Sequence, residues 1–309
     1  MNIEKIHSQL LSSKSLLFTI IFAFVAIRLY PLYNQLDNLS LWGSLLIQLG
    51  IALFLLQLNS IFNIIQRHTF LPALFYLLFI GSNPVFFCDL KGSVAALCVV
   101  WAYYYLFNSY QKPKSQTNAM NISILLVFGS LFWPPLLFLF PIFWIGFYYF
   151  HCFNARMFFA SLTGFLIVYL FVLAWSLFWK DQNAFTSLLP QFDALFFIQK
   201  PNFTIAEWLT CGVLMLVSLL AGLHLFFSNI SERIWTIAVL NYFFLSVFIL
   251  FIFYFLQSKY KSTWELINYV PIAFLIGHFF SRSNKRSVHY LLLFCFIFFI
   301  LIDIAQLLF

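Results

Sequence analysis

Asp37 stands in the polar stretch Tyr33-Asn34-Gln35-Leu36-Asp37-Asn38, just beyond the first apolar run of the chain. A carboxylate there could act as general base toward an acceptor hydroxyl, or hold a divalent cation that neutralises phosphates. It could equally be a solvated loop residue that caps a helix beginning near Ser40. Arg28 lies within the first apolar run, one turn from its end, where its planar guanidinium could grip a diphosphate, or snorkel to the headgroups. Asp89 and Lys91, in Cys88-Asp89-Leu90-Lys91-Gly92, could orient a sugar or a lipid phosphate; the same pair could be a helix cap and a headgroup contact. Asn83, in Gly81-Ser82-Asn83-Pro84, can offer its amide to carbonyls that Pro84 leaves without a donor. A broken helix of this kind either lines a cavity or is an ordinary kink.

Other chemistry lacks a signature. No GxxxxGK, HExxH, GxSxG or GxGxxG motif occurs, so nucleotide-driven transport, zinc proteolysis and serine hydrolysis have no local support. Cys88, Cys98, Cys152, Cys211 and Cys295 show neither CxxC nor Cys/His spacing and read as small packing residues. His68, His151, His224, His278 and His289 fall at the ends of apolar segments, with no pair at a metal-binding spacing. No metal site and no cofactor is identified, although Asp37 leaves room for a divalent metal.

The elements that must position these residues follow from composition. Hydrophobic residues make up 63% of the 309 and charged residues 8%, and the mean hydropathy is +0.96. A water-soluble fold could not hide that much apolar surface. The rings of the 45 Phe residues can fill the space between helices, and the excess reads as lipid-facing filler rather than a ligand cage, with Tyr and Trp suited to the headgroup level. The formal charge of +7 is spread along the chain, with no basic stripe for nucleic acid.

A hydrocarbon core about 30 Å thick needs roughly 20 apolar residues per helix. The pattern predicts an all-α, polytopic transmembrane bundle, a single integral membrane domain over 1–309. About eleven spans are expected, at 15–33, 41–62, 70–87, 92–108, 120–133, 136–150, 157–179, 208–228, 234–256, 264–280 and 287–309. The first is expected to be uncleaved, since no small-x-small site precedes Arg28. The fifth and sixth are short and meet at Trp133-Pro134-Pro135, which leaves two readings open: two tilted spans, or a re-entrant hairpin. The connection 180–207 carries Leu188, Phe192, Leu195 and Phe196 at helical spacing, as in an amphipathic helix lying in the interface.

Placing the N-terminus in the cytoplasm and the C-terminus outside puts ten of the sixteen basic residues inside and six outside. Asp37, Asp89, Asp181, Asp193, Glu207 and Glu265 then fall in outer loops, which makes the outer face the place for chemistry.

The stretch from Leu58 to Trp175 also carries a resemblance. A cytoplasmic Gln66-Arg67-His68 is followed by Pro72-Ala73-Leu74, Gly81-Ser82-Asn83-Pro84, an acidic outer loop, Trp101-Ala102-Tyr103-Tyr104-Tyr105, and Phe128-Gly129-Ser130-Leu131-Phe132-Trp133-Pro134-Pro135. This layout resembles polytopic inner-membrane proteins of Bacteroidota that form a domain family of unknown function. It is also similar to the conserved module of GT-C glycosyltransferases. The latter resemblance implies a polyprenyl-phosphate sugar donor at the outer face, Asp37 as catalytic base, and Arg28, Asn83, Asp89 and Lys91 as substrate contacts. The function expected on this ground is a bacterial inner-membrane protein of the cell envelope that handles a lipid-linked glycan or similar amphiphile. A non-catalytic membrane subunit with protein partners is the alternative, and a small-solute transporter the third reading. Membrane lipids are the expected partners, and nucleic acid is not.

Overall fold

The computed structural model describes residues 39–65, 69–81, 86, 89–112, 115–178, 203–228, 233–282 and 286–308. Among these the regular elements are all helices, as expected. The helices are α1 (Leu39–Phe62), α2 (Leu71–Gly81), α3 (Leu90–Asn108), α4 (Gln116–Phe132), α5 (Leu139–Tyr149), α6 (Ala155–Phe178), α7 (Ile205–Ser228), α8 (Ile234–Leu256), α9 (Lys261–Arg282) and α10 (Arg286–Leu308). Short 3-10 turns at Pro134–Phe138 and Ser258–Tyr260 lead into α5 and α9. Each predicted span from 41–62 onward contains a helix, that at 70–87 being described only in part; the span at 15–33 lies outside the described residues. Five of the helices are long and apolar enough to cross a membrane: Leu39–Phe62, Leu90–Asn108, Ala155–Phe178, Glu207–Phe226 and Ile234–Leu256. That much is the makeup of an integral membrane protein.

Side-chain contacts fix which helix ends lie together. At one end, Trp235 Nε1 donates to Phe62 O at 3.0 Å, and Tyr110 meets Trp235 with ring centroids 4.6 Å apart. Phe150 packs on both, and Gln111 N donates to Phe150 O. The ends of α1, α3 and α5 and the start of α8 therefore share one level. At the other end, Asp89, Trp133, Glu207, Gln257 and Thr263 gather around the start of α9. Successive helices thus run in alternate directions. Positive-φ residues Asn63, Gln111 and His151 make sharp turns at the Trp235 end, and Asn63 ends α1 with its N–H on Asn59 O, a left-handed stop.

Trp133, at the turn between α4 and α5, packs on Trp264 and Tyr260, whereas Phe150 lies at the opposite end of the bundle. The segment Pro134–Tyr149 therefore runs from one end of the bundle to the other. It reaches because its first turn is 3-10, rising ~2.0 Å per residue instead of ~1.5 Å, which brings the segment to roughly 26 Å. The prolines occupy the first two positions of that turn, where their missing N–H groups have no partner to lose.

The centre of the bundle is α9, which packs against α2, α3, α7, α8 and α10. Every residue from Thr263 to Ser281 is buried. It is also the helix richest in polar groups, carrying Thr263, Glu265, Asn268 and His278. A helix screened on all sides by others can hold such groups where a lipid-facing one could not. Pro271 lies inside it and leaves the carbonyl of Ile267 without its helical donor. At the opposite extreme, α6 packs chiefly on α4 and leaves Leu166, Leu170, Phe171 and Phe178 exposed. Gly164 makes that contact close: a Cβ there would come within 2.6 Å of Met120 O.

The phenylalanines divide between two roles. Phe159, Phe171, Phe226 and Phe294 are exposed, as filler facing lipid would be, but Phe75, Phe79, Phe107, Phe143, Phe243 and Phe274 are fully interior. Phe107 alone meets Phe62, Phe150, Trp235 and Phe243 edge-on at 5.5–6.0 Å. Rings of this size fill the helix interfaces as well as facing outward, the two places that the composition allows them.

Candidate functional site

The polar residues concentrate where α9 begins. Asp89 precedes α3 as its N-cap, and Asp89 Oδ1 accepts from Gly92 N at 2.9 Å, satisfying one of the free donors of the first turn. Its second oxygen, Oδ2, accepts from Thr263 Oγ1 at 3.1 Å. One carboxylate thus ties the starts of α3 and α9 together. Gly92 permits this approach, since a Cβ there would lie 2.8 Å from Thr263 Oγ1. Beneath it, Gln48 Nε2 of α1 donates to Phe86 O at 2.7 Å and to Ser93 Oγ at 3.2 Å.

A second tie joins α7 to α9. Thr204 and Glu207 form a reciprocal capping box: Glu207 Oε2 accepts from Thr204 N, and Thr204 Oγ1 from Glu207 N. The same carboxylate receives Lys261 Nζ at 2.7 Å. Lys261 Nζ also lies 5.4 Å from the centroid of the Phe203 ring. Indole groups complete the end, with Trp264 Nε1 donating to Gln257 Oε1 at 3.0 Å and stacking on Phe253.

One turn deeper, α7, α8 and α9 enclose a cavity of about 10 Å³, lined by Cys211, Tyr254, Glu265, Asn268 and Tyr269 and closed by apolar side chains. Glu265 is buried and accepts from Tyr269 Oη at 2.7 Å. Asn268 Oδ1 and Tyr254 Oη, both interior, have no hydrogen-bond partner. Sequence placed Glu265 in an outer loop. The structure puts it inside, because α9 starts at Lys261 and is surrounded by other helices at Glu265.

A larger space lies on the flank. A groove of about 460 Å³ runs between α4 and α6, walled by residues that include Phe128, Leu131, Ile167, Phe171, Val172 and Trp175. Its wall is apolar throughout, and its volume falls in the roughly 300–1,000 Å³ range of small-molecule sites.

Compared with protein-family models, curated proteins and solved structures, the chain matches none.

Of the residues singled out in the sequence, Arg28, Asp37 and Asn83 lie outside the described residues, as does most of the 180–207 connection. Asp89 is committed to Gly92 and Thr263, and Lys91 stands exposed at the start of α3. The buried set Tyr254, Glu265, Asn268 and Tyr269 went unread. The i to i+4 spacing of Glu265 and Tyr269 was available in the sequence, but Tyr254 reaches the cavity only through the packing of α8 on α9. Burial of Cys98, Cys152, Cys211 and Cys295 as free thiols agrees with their reading as packing residues. His224 and Arg282 lie near enough to His278 to interact with it electrostatically. Among the described residues no three His, Cys, Asp or Glu side chains gather as a divalent metal would require.

Proposed function

We propose that the chain is a multi-pass integral protein of a bacterial inner membrane, with its N-terminus inside, that handles an amphiphile whose hydrocarbon tail lies in the groove between α4 and α6. The observation that carries this reading is the groove itself, wholly apolar and open along the face of α6 that would meet lipid. Lined without polar groups, it offers a long chain dispersion contacts and asks for no hydrogen bonds. A polyprenyl-linked glycan is one amphiphile of this description, its polar head then lying beyond Trp175 at the acidic end. Asp37, Arg28, Asn83 and Lys91 are the residues proposed to meet that head, with Asp37 as base if sugar is transferred.

Charge sorting supports the orientation. Among the described residues Asp89, Glu207 and Glu265 lie at one end together with Lys91, Lys259 and Lys261, whereas Lys112, Arg156, Arg233 and Arg282, at or near the other end, have no described acidic residue among them. Basic residues accumulate on the cytoplasmic side. Lipid mass spectrometry on the detergent-purified protein tests the amphiphile: a retained polyprenyl phosphate or other single lipid species is expected, and recovery of bulk phospholipid in membrane proportions would refute it.

A second reading has its own observation. Exposed Phe159, Phe171, Trp175 and Phe178 give α6 an aromatic flank suited to a neighbouring membrane subunit. Copurification of a stoichiometric partner in mild detergent would favour this reading over the first.

A further inference from the structure

We propose that the Trp235 end of the bundle binds the headgroup of an anionic phospholipid, held by Lys112, Arg156 and Arg233. Two turns and a helix start meet there. Gln111 N donates to Phe150 O at 3.1 Å, which sets the α3–α4 turn against the α5–α6 turn. Trp235 closes the group from α8, its ring centroid 4.6 Å from that of Tyr110 and 5.6 Å from that of Phe150. Lys112, His151 and Arg233 each lie within two residues of this aromatic trio, and all three are exposed. Arg156, also exposed, stands in the first turn of α6. α4 and α6 both start at this end and touch where Gly164 meets Met120, which carries Arg156 toward the turn that holds Lys112.

The placement of these charges calls for an anion. The N-terminus of a helix is its positive end and favours acidic residues, whereas cations are at home in the last turn. α4, α6 and α8 begin here without an acidic residue in the first turn, and Arg156 and Arg233 occupy the starts of α6 and α8 instead. Ser115 and Arg233, the N-caps of α4 and α8, make no side-chain cap bond, so the first-turn N–H groups gain no acceptor from them. Among the described residues no acidic side chain lies at this end to offset the charge. Sidedness alone does not explain the pattern. α1, α3 and α5 end at the same level, where a cation in the last turn would serve orientation and dipole together, yet none of the three has one.

The surroundings select a lipid over a soluble polyanion. Next to Arg233 stands Ile234, 78% exposed, and near His151 stand Tyr148, 72% exposed, and the exposed Phe153. Cations beside bare apolar side chains match a molecule with a phosphate at one end and hydrocarbon at the other. Lys112 Nζ donates to Asn108 Oδ1 at 3.0 Å, which steadies the ammonium and uses one of its three N–H bonds. Its remaining donors and the guanidinium forks of Arg156 and Arg233 suit phosphate oxygens. The seat requires only that this end lies at the headgroups of a membrane. It does not depend on the groove between α4 and α6, and either proposal can fail alone.

The experiment uses the full chain in a nonionic detergent, unfolded by heat in mixed micelles with phosphatidylglycerol or with phosphatidylcholine. Phosphatidylglycerol is expected to raise the unfolding temperature by several degrees, with saturation, and phosphatidylcholine is not. Lys112→Gln, Arg156→Gln and Arg233→Gln combined are expected to raise the half-saturating concentration by at least about 10-fold, whereas Lys259→Gln, a like change at the opposite end, leaves it as in the wild type. Should the triple variant fail to fold, native mass spectrometry of the wild type from an equimolar mixture of the two lipids decides. Phosphatidylglycerol is then expected to be retained over phosphatidylcholine by at least about 10-fold. Equal stabilisation by phosphatidylcholine, by inorganic phosphate or by polyglutamate, an undiminished effect in the triple variant, a loss as large in Lys259→Gln, or equal retention of the two lipids would overturn the proposal.

Discussion

Thr263 Oγ1 donates to Asp89 Oδ2 across 174 positions of sequence, so that the cap of one helix also anchors the start of another. Removing an N-cap carboxylate costs about 1 kcal/mol, and leaving the partner hydroxyl unpaired in a partly buried place adds to it. Asp89→Ala is expected to lower stability by ~1–2 kcal/mol and Thr263→Val by less. A double-mutant cycle measured by thermal unfolding should return a coupling of about 0.5–1 kcal/mol. Strict additivity would mean that the two residues do not act together.

Gly164 and Gly212 give opposite outcomes for the same chemical change. A methyl at Gly164 meets the carbonyl of Met120, a backbone atom that cannot swing aside, whereas at Gly212 nothing lies within 4 Å. Gly164→Ala is expected to destabilise by roughly 1–3 kcal/mol. Gly212→Ala is expected to be neutral or stabilising by up to ~1 kcal/mol, since it removes a flexible residue from a helix. Denaturant or thermal unfolding of both variants in the same detergent makes the comparison.

Ile167 is half exposed on the wall of the groove. Ile167→Trp should fill that space with little effect on folding, because the added ring points away from the core. Crosslinking to a photoactivatable prenyl or acyl lipid is expected to fall by at least about fivefold relative to wild type, a change of ~1 kcal/mol in affinity. Equal crosslinking would place the tail elsewhere.

Trp235 connects the start of α8 to the end of α1 through its indole N–H on Phe62 O. Trp235→Phe keeps most of the ring packing against Tyr110 and Phe150 and deletes the donor. A loss of ~1 kcal/mol in stability is expected, with greater exposure of the Trp235 end to limited proteolysis.

The helices were legible in the sequence because each apolar segment is bounded by charge or by Pro and Gly, and a helix is the one open-ended element that satisfies its backbone in lipid. Predicted 234–256 and Ile234–Leu256 agree residue for residue. What could not be read was which helix is central. α9 looks like a marginal span because of Glu265, Asn268 and His278, yet these are the residues that central position permits. Hydropathy reports how well a segment suits lipid, and α9 has other helices around it instead. The candidate site was hidden for a related reason. Asp89 advertises itself by standing alone between apolar runs, but its partner Thr263 lies on a different helix. The oxygens around Glu265 come together only when α7, α8 and α9 pack, and no local spacing encodes that packing.

The alternate direction of the helices puts Lys112 and Lys259 at opposite ends of the bundle, both exposed. Single cysteines at these two positions, in an otherwise cysteine-free chain in intact cells, can be challenged with a membrane-impermeant maleimide. Lys259→Cys is expected to react from outside and Lys112→Cys only after the membrane is opened. Labelling of both from the same side would contradict a membrane-spanning bundle with its acidic end outward.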